Sequence, residues 1–235
     1  PAKTAGSKKR FNCLVWFCFE DFISLYYIIE LPHRNRITFF MAKLKRLVAV
    51  FSDSLLQSRF TKGLWTEYRH PFLNSKKVGS KPKIDFIIKG KIEGNECIKI
   101  AIETKWISES STLLKDCLKD ILRLALLADN CSNISCYFIV CGRYSNWLSK
   151  IKNNKKFYYK ENGKRVNLLN LGVPGHNTIR PSAPPKKFAK VIKTALSELD
   201  PKKDLPDTIR ITYCGKYPEN HLRKEYVAIG WIIKT

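Results

Sequence analysis

The chain has 235 residues, of which 44% are hydrophobic, so it can bury a sizeable core and is not a disordered polycation. Its formal net charge of +23 attracts polyanions over long range, which makes nucleic acid the expected partner ahead of a ribosome-like scaffold or an anionic membrane. Eight cysteines without Cys-x-x-Cys spacing favour neither a zinc site nor a disulfide framework, and a reducing, cytoplasmic setting is expected.

The first forty residues form the least regular part of the chain. The only methionine is Met41, which suggests the hypothesis that the natural start lies there and that residues 1–40 are an upstream or non-native extension. The segment Phe11–Leu31 is strongly apolar, but Glu20 and Asp21 lie in its middle. An acid at the centre of a membrane span costs roughly 2.5–3.5 kcal/mol, so a core helix or an appendage is favoured over a membrane anchor.

A helix and a strand are predicted next. Ala42–Phe60 has its apolar residues at the spacing of one helical face, and Asp53 is its only acid and a weak site candidate. Gly63–Phe72 is predicted to contain the first strand. Within it Glu67 is the better candidate for a catalytic carboxylate, although a solvated or salt-bridged glutamate is an equal alternative. His70 is expected to be structural or to contact phosphate.

The stretches Lys83–Lys89 and Cys97–Lys105 alternate as strands do and are separated by a Gly/Asn turn signal. A three-residue loop at Glu93–Asn95 gives one face an apolar ladder, whereas a two-residue loop at Gly94–Asn95 mixes the two faces, so the first register is predicted. That register pairs Phe86 with Ile102, Ile88 with Ile100, Ile84 with Thr104 and Ile92 with Glu96.

Two carboxylates face each other in this predicted hairpin. Asp85 is expected opposite Glu103, and like charges facing each other in a sheet are destabilising. A divalent cation between them would remove the conflict, because Mg²⁺ binds one or two carboxylates together with phosphate oxygens and water. Lys105 would project from the same face about 6.6 Å further along. The alternative is a pair of acids that form salt bridges with neighbouring lysines.

A helix is predicted over Leu113–Ala128 and a buried strand over Ser135–Cys141. Along the helix, basic residues recur every four positions beside an acidic row. We expect the basic row either to bind phosphates or to form a solvated face with internal ion pairs. The basic row consists of Lys115, Lys119 and Arg123, and the acidic row of Asp116 and Asp120.

The segment Tyr144–Arg165 is rich in lysines and aromatic residues, a combination that can neutralise phosphates and stack on unpaired bases. It is the best predicted nucleic-acid contact, and the alternative is a basic hairpin whose aromatics face the core. A helix at Lys186–Leu199 and closing strands at Thr208–Cys214 and Tyr226–Ile233 are predicted. The nucleic-acid candidates here are Lys155, Lys156, Tyr158 and Tyr159.

Asp85, followed by Glu103-Thr104-Lys105 and then by a helix and a strand, resembles the PD-(D/E)XK nuclease superfamily. The resemblance covers about Met41 to Gly142, and the proline that usually adjoins the first aspartate is displaced to Pro82. It implies an α/β fold with a central mixed β-sheet flanked by helices, a restriction-endonuclease-like αβββαβ core. A basic C-terminal extension would follow.

The resemblance implies an Mg²⁺- or Mn²⁺-dependent endonuclease of restriction, repair or defence type, with DNA preferred over RNA. Asp85, Glu103 and the Thr104 carbonyl would hold the metal, Glu67 could complete its shell, and Lys105 would orient the attacking water.

The expected organisation is an extension at 1–40, a nuclease-like core at 41–145 and a basic part at 146–235. No membrane partner is expected, and a homodimer is compatible. The competing classes are a non-catalytic nucleic-acid-binding module and a structural ribonucleoprotein component.

Overall fold

The computed structural model describes residues 64–74, 82–92, 95–107, 113–161, 163–170, 176–217 and 226–235. The helix predicted at Ala42–Phe60, the apolar segment Phe11–Leu31 and Met41 lie outside these residues. Within the described ranges no helix is long and apolar enough to cross a membrane.

Among the described residues, nine strands form a large mixed sheet and a small hairpin. The strands are β1 Leu64–Arg69, β2 Lys83–Ile92, β3 Asn95–Ile107, β4 Ser135–Arg143, β5 Tyr158–Glu161, β6 Lys164–Asn167, β7 His176–Ile179, β8 Ile209–Tyr217 and β9 Tyr226–Lys234. The large sheet has the order β1-β2-β3-β4-β9-β8-β7, and β5 pairs with β6. Of the strand pairs in the described part of the chain, β3 and β4 alone are parallel, which requires a crossover between them.

The helices flank this sheet. The crossover is made by α1, Leu113–Asn130, and a short α2, Tyr144–Trp147, runs into a π-helical turn at Leu148–Lys152. A 3₁₀ turn at Lys155–Phe157 precedes β5, and α3 spans Lys186–Leu199. The predictions of an α/β fold, of α1, of α3 and of the paired strands β8 and β9 are therefore confirmed.

The predicted hairpin between β2 and β3 forms, but its turn is shorter than predicted. Ile92 pairs with Asn95 rather than with Glu96, so the three-residue loop is wrong. A β-bulge after Ile88 adds one residue on the opposite strand. The bulge compensates for the shorter turn, and the predicted pairs Phe86–Ile102 and Ile88–Ile100 are confirmed.

The core lies on the sheet face that α1 and α3 cover. Ile87 and Ala101 on this face are fully buried, as are Phe138 on β4 and Trp231 on β9. The Trp231 ring lies 6.1 Å from Phe138 and 5.8 Å from Trp147, forming an aromatic cluster under α2. Full burial of each large apolar side chain in this core contributes on the order of 1.5–3 kcal/mol to folding. Because Asp85, Glu103 and Lys105 alternate in phase with Ile87 and Ala101, they face this covered side rather than open solvent.

Candidate active site

Glu103 is the most deeply buried acid of the motif, with 0% of its surface exposed. Its Oε2 atom accepts a hydrogen bond from Nη2 of Arg123 on α1 at 2.9 Å. The same Nη2 donates to Asp120 Oδ1 at 2.6 Å, one turn earlier on the helix. Asp120 Oδ2 in turn lies 2.8 Å from Lys105 Nζ, so two strand residues and two helix residues form one chain of ion pairs.

Asp85 joins this group from β2. Its Oδ2 atom accepts hydrogen bonds from the Thr104 backbone N–H at 2.7 Å and from Thr104 Oγ1 at 2.8 Å. We call Asp85, Glu103, Lys105, Asp120 and Arg123 the buried charge cluster.

The buried charge cluster contains three carboxylates and two cations, so one negative charge is in excess when all are ionised. Burial is the main cause that raises the pKa of Glu103 well above its usual value, opposed by Arg123 and reinforced by Asp120 and Asp85. Burial likewise raises the pKa of Asp120, while Arg123 and Lys105 oppose the rise. Carboxyl groups with raised pKa values in one cluster are a signature of functional sites, although structural ion pairs produce it too.

Both cations of the cluster are firmly charged. Burial lowers the pKa of Lys105, but the ion pair with Asp120 outweighs it and the net change is upwards. For Arg123, the neighbouring carboxylates likewise outweigh burial. Lys105 is 26% exposed at its side chain and Asp85 is half-buried, so these two residues form the side of the cluster nearest to solvent.

Each of the two carboxylates that were predicted to repel each other, Asp85 and Glu103, has a partner within the protein. Arg123 compensates Glu103 and Thr104 binds Asp85, so the facing charges do not by themselves require a cation. The compensating cation is an arginine from α1 rather than a neighbouring lysine, which is how the salt-bridge alternative is realised.

The residues present nevertheless fit a hard divalent cation. Glu103 Oε1 is buried and has no hydrogen-bond partner among the described residues, so one carboxylate oxygen is left to coordinate. Both hydrogen bonds of Asp85 use Oδ2. In the described ranges no group of three or more His, Cys, Asp and Glu side chains is arranged to hold a metal. Mg²⁺ does not need three, because it uses one or two carboxylates and completes its shell with water and phosphate oxygens.

Glu67, the predicted third carboxylate, lies outside the buried charge cluster. It has a left-handed backbone with φ of 51°, and its side chain is 69% exposed and bonded to Lys83 Nζ at 2.8 Å. This is the solvated, salt-bridged alternative. His70 is structural, because Phe72 N donates to its Nδ1 and its Nε2 lies 3.0 Å from the Arg123 carbonyl.

The predicted basic row on α1 does not form one exposed stripe. Arg123 faces inward in the buried charge cluster, so its assignment as a nucleic-acid contact is corrected. Lys115 and Lys119 both bind Glu198 of α3, at 3.0 and 2.8 Å, and join the two helices. The pKa of Glu198 is lowered to about 2 by these hydrogen bonds.

The aromatic residues of the basic segment are also turned away from solvent. Tyr159 is 5% exposed and packs edge-on against Phe188 at 5.4 Å, so the prediction that it stacks on a base is corrected. Tyr158 is half-buried, and the Arg165 guanidinium lies over its ring at 4.0 Å. Lys155 and Lys156 are exposed, as a nucleic-acid contact requires.

The sequence reasoning missed the role of Asp120, yet a signal was present. Leu113, Cys117, Asp120, Leu124 and Leu127 recur at spacings of four, three, four and three, and all are buried. A single acid inside an otherwise apolar helical row indicates a buried charge with a dedicated partner, because an unpaired buried carboxylate would be very costly.

Comparison with known proteins returns no match, whether to a family model, to a curated protein or to a solved structure. The resemblance to the PD-(D/E)XK superfamily therefore rests on the residues of this chain alone.

Proposed function

We propose that this protein is a metal-dependent nuclease whose active site is the solvent side of the buried charge cluster. The observation that carries the proposal is the convergence of Asp85, Glu103 and Lys105 on one sheet face, with a buried Glu103 oxygen that has no partner among the described residues. The described order β1-β2-β3, α1, β4 agrees with the βββαβ part of the αβββαβ order that the resemblance implies, and the helix predicted at its start, Ala42–Phe60, lies outside the described residues.

In this proposal Asp85 and Glu103 would hold Mg²⁺ or Mn²⁺, and the Thr104 carbonyl would supply a third oxygen. The metal, when bound, would lower the pKa of a water molecule and stabilise charge on the scissile phosphate. Thr104 orients Asp85 through two hydrogen bonds. Glu67 is exposed and paired with Lys83, so a direct catalytic role for it is the least supported part of the proposal.

Lys105 would neutralise the charge that develops on the phosphate or orient the attacking water. Asp120 fixes the Lys105 ammonium from α1 and keeps it protonated, which suits charge neutralisation better than proton abstraction. An arginine at this position would keep the charge but would not reproduce the compact ammonium group. Asp120 and Arg123 act as positioning residues that hold the motif against α1.

The decisive experiment is cleavage of plasmid DNA, single-stranded DNA and RNA with Mg²⁺ or Mn²⁺. We expect cutting by the wild type, none with EDTA, and at least a hundredfold loss for Asp85→Asn, Glu103→Gln and Lys105→Ala with nucleic-acid binding retained. The matched control is Glu96→Gln, which removes another carboxylate from β3. Glu96 forms an exposed ion pair with Lys89. Cutting that persists in all three variants would contradict the proposed site.

A non-catalytic nucleic-acid-binding module is the second candidate. It is favoured by the Glu103–Arg123 ion pair, which gives the motif acid a partner without any metal. Binding of nucleic acid by wild type and variants alike, with no cleavage under any metal, would establish this alternative instead.

A further inference from the structure

A second, separate concentration of charge lies on the C-terminal half of the chain. Residues 144–170 and 180–193 contain twelve lysine and arginine residues and one acid, Glu161. They therefore carry +11 of the chain's net +23 on less than a fifth of its residues. Positive charges at this density repel one another and disfavour the folded state unless they point to solvent or meet a polyanion.

The two segments are joined in space. Lys187 at the start of α3 donates hydrogen bonds through Nζ to the backbone carbonyls of Lys155 and Tyr158. Beneath them the Tyr159 ring packs against Phe188 of α3. The β5–β6 hairpin and the first half of α3 are thus one continuous surface, built on buried aromatic residues.

The exposed face of α3 presents a row of cations. Phe188, Ile192, Ala195 and Leu199 form its buried face. Lys186, Lys190 and Lys193 are exposed at spacings of four and three, which places them on one side of the helix over about 10 Å.

The β5–β6 hairpin and the 3₁₀ turn before it carry further exposed cations next to this helix. Lys155, Lys156 and Arg165 are exposed, and within the described part of the chain neither they nor the three helix lysines form an ion pair with an acid. This contrasts with Lys115 and Lys119, whose charges are taken by Glu198. We call the cations of the 3₁₀ turn, the hairpin and the helix together the basic surface: Lys155, Lys156, Arg165, Lys186, Lys190 and Lys193.

The aromatic residues of the 3₁₀ turn and the β5–β6 hairpin, Phe157, Tyr158 and Tyr159, are largely withdrawn from stacking. Phe157 and Tyr159 are buried, and Arg165 covers one face of the Tyr158 ring while its hydroxyl donates to the Lys152 carbonyl at 2.6 Å. Recognition of unpaired bases needs accessible rings, whereas recognition of phosphates needs only cations.

We infer that the basic surface is a nucleic-acid backbone-binding site that reads phosphates and not bases. It binds duplex and single strands through the same cations, so its affinity is sequence-independent and steeply salt-dependent. The inference rests on the proposed function only in taking nucleic acid as the polyanion, and it assigns the step of holding the substrate to a surface outside the buried charge cluster.

The test measures binding, so it is independent of cleavage. Fluorescence anisotropy of labelled 20-residue duplex and single-stranded DNA is followed in EDTA at several salt concentrations. The variant is Lys186→Gln with Lys190→Gln and Lys193→Gln. We expect at least a tenfold loss of affinity and a salt slope shallower by about 2–3 for duplex, since each phosphate contact contributes about 0.9.

The matched control removes three exposed lysines elsewhere, Lys202→Gln with Lys203→Gln and Lys234→Gln. Lys202 and Lys203 follow the opposite end of α3, and Lys234 ends β9. We expect the control to lose less than threefold. An equal loss in both triple variants would show a diffuse charge effect and overturn the inference, as would no loss in either.

Two further arms separate the alternatives. Tyr158→Leu is expected to change single-strand affinity by less than twofold, whereas a selective tenfold loss for single strands would identify a stacking site and overturn the backbone assignment.

Vesicles containing phosphatidylserine are expected to bind more weakly than DNA, and a preference for vesicles would make the surface a membrane contact. DNA binding in EDTA without cleavage in Mg²⁺ would refute only the nuclease proposal.

Discussion

Lys105 Nζ on β3 lies 2.8 Å from Asp120 Oδ2 on α1, and this contact joins the motif strand to the helix that covers it. Both groups are largely withdrawn from water, so each depends on the other for compensation. Breaking a buried ion pair from one side costs more than the pair itself contributes, because the remaining charge is left without a partner.

Asp120→Ala is therefore expected to destabilise the fold by about 3–5 kcal/mol, because both Lys105 and Arg123 lose a partner. Urea unfolding measures the change. The control Asp129→Ala lies in the same helix at an exposed position and is expected to shift stability by less than about 0.5 kcal/mol. Equal unfolding midpoints for the two variants would contradict a structural role for the Asp120 contacts.

Metal binding at the buried charge cluster is expected to release protons. The pKa of Glu103 is raised above its usual value. At pH values near or below this raised pKa, the metal must therefore displace a proton from the carboxyl group. Affinity for Mn²⁺ therefore rises with pH through the pKa of Glu103. Calorimetry in buffers of different ionisation enthalpy counts the protons released. Glu103→Gln should abolish the release, and binding with no proton release at any pH would contradict this coupling.

His70 is expected to make the fold sensitive to acid. Burial lowers its pKa from 6.5 to about 4 in the folded protein, so the unfolded chain binds more protons between these values. The contribution of neutral His70 is present above pH 6.5 and is lost as the pH falls towards 4, by about 1.6 kcal/mol between pH 6.5 and pH 5. Urea unfolding of wild type and His70→Gln across this range should converge as the pH falls. Parallel curves would contradict the prediction.

Glu198 holds two lysines that would otherwise be available to a polyanion. Because its side chain is about a third exposed, Glu198→Gln should cost only about 0.5–1 kcal/mol of stability. Release of Lys115 and Lys119 should tighten duplex DNA binding several-fold. The slope of log affinity against log salt should steepen by the equivalent of about one or two phosphate contacts. Anisotropy titrations measure both. Unchanged binding would show that these lysines lie away from the path of the nucleic acid.

Gly142 marks a close approach between the parallel strands β3 and β4. A Cβ atom there would lie 3.0 Å from the Ile107 carbonyl oxygen and 3.1 Å from the Ile107 Cβ. Gly142→Ala is therefore expected to destabilise the protein by about 1–3 kcal/mol. Gly215→Ala in β8 is the control, because its Cβ would meet nothing within 4 Å. Thermal unfolding distinguishes them, and equal melting temperatures would refute the steric argument.

Local pattern was sufficient where one periodicity dominates. The spacing of apolar residues predicted α1 at Leu113, because burial of a single helical face requires that period. The apolar run Ser135–Cys141 predicted the buried strand β4, and α3 and the closing strands were also predicted. Alternation also predicted the pairs Phe86–Ile102 and Ile88–Ile100, even though the turn at Ile92–Asn95 was predicted one residue too long.

The partners of the charged residues were decided only by the tertiary structure. Lys115, Lys119 and Arg123 form one row by helical spacing, but Glu198 binds two of them and the buried charge cluster takes the third. Tyr158 and Tyr159 are adjacent in a basic segment, yet Phe188 buries one and Arg165 covers the other.

The amino-acid sequence thus determined the elements, the alternation that places the motif on one sheet face, and the excess of positive charge. The tertiary structure decided which charges are neutralised by acids and which remain exposed to a polyanion. The physical reason is that a periodic pattern fixes the direction of a side chain relative to its own backbone. The free energy of a charge instead depends on burial and on groups distant in sequence, such as Arg123 for Glu103.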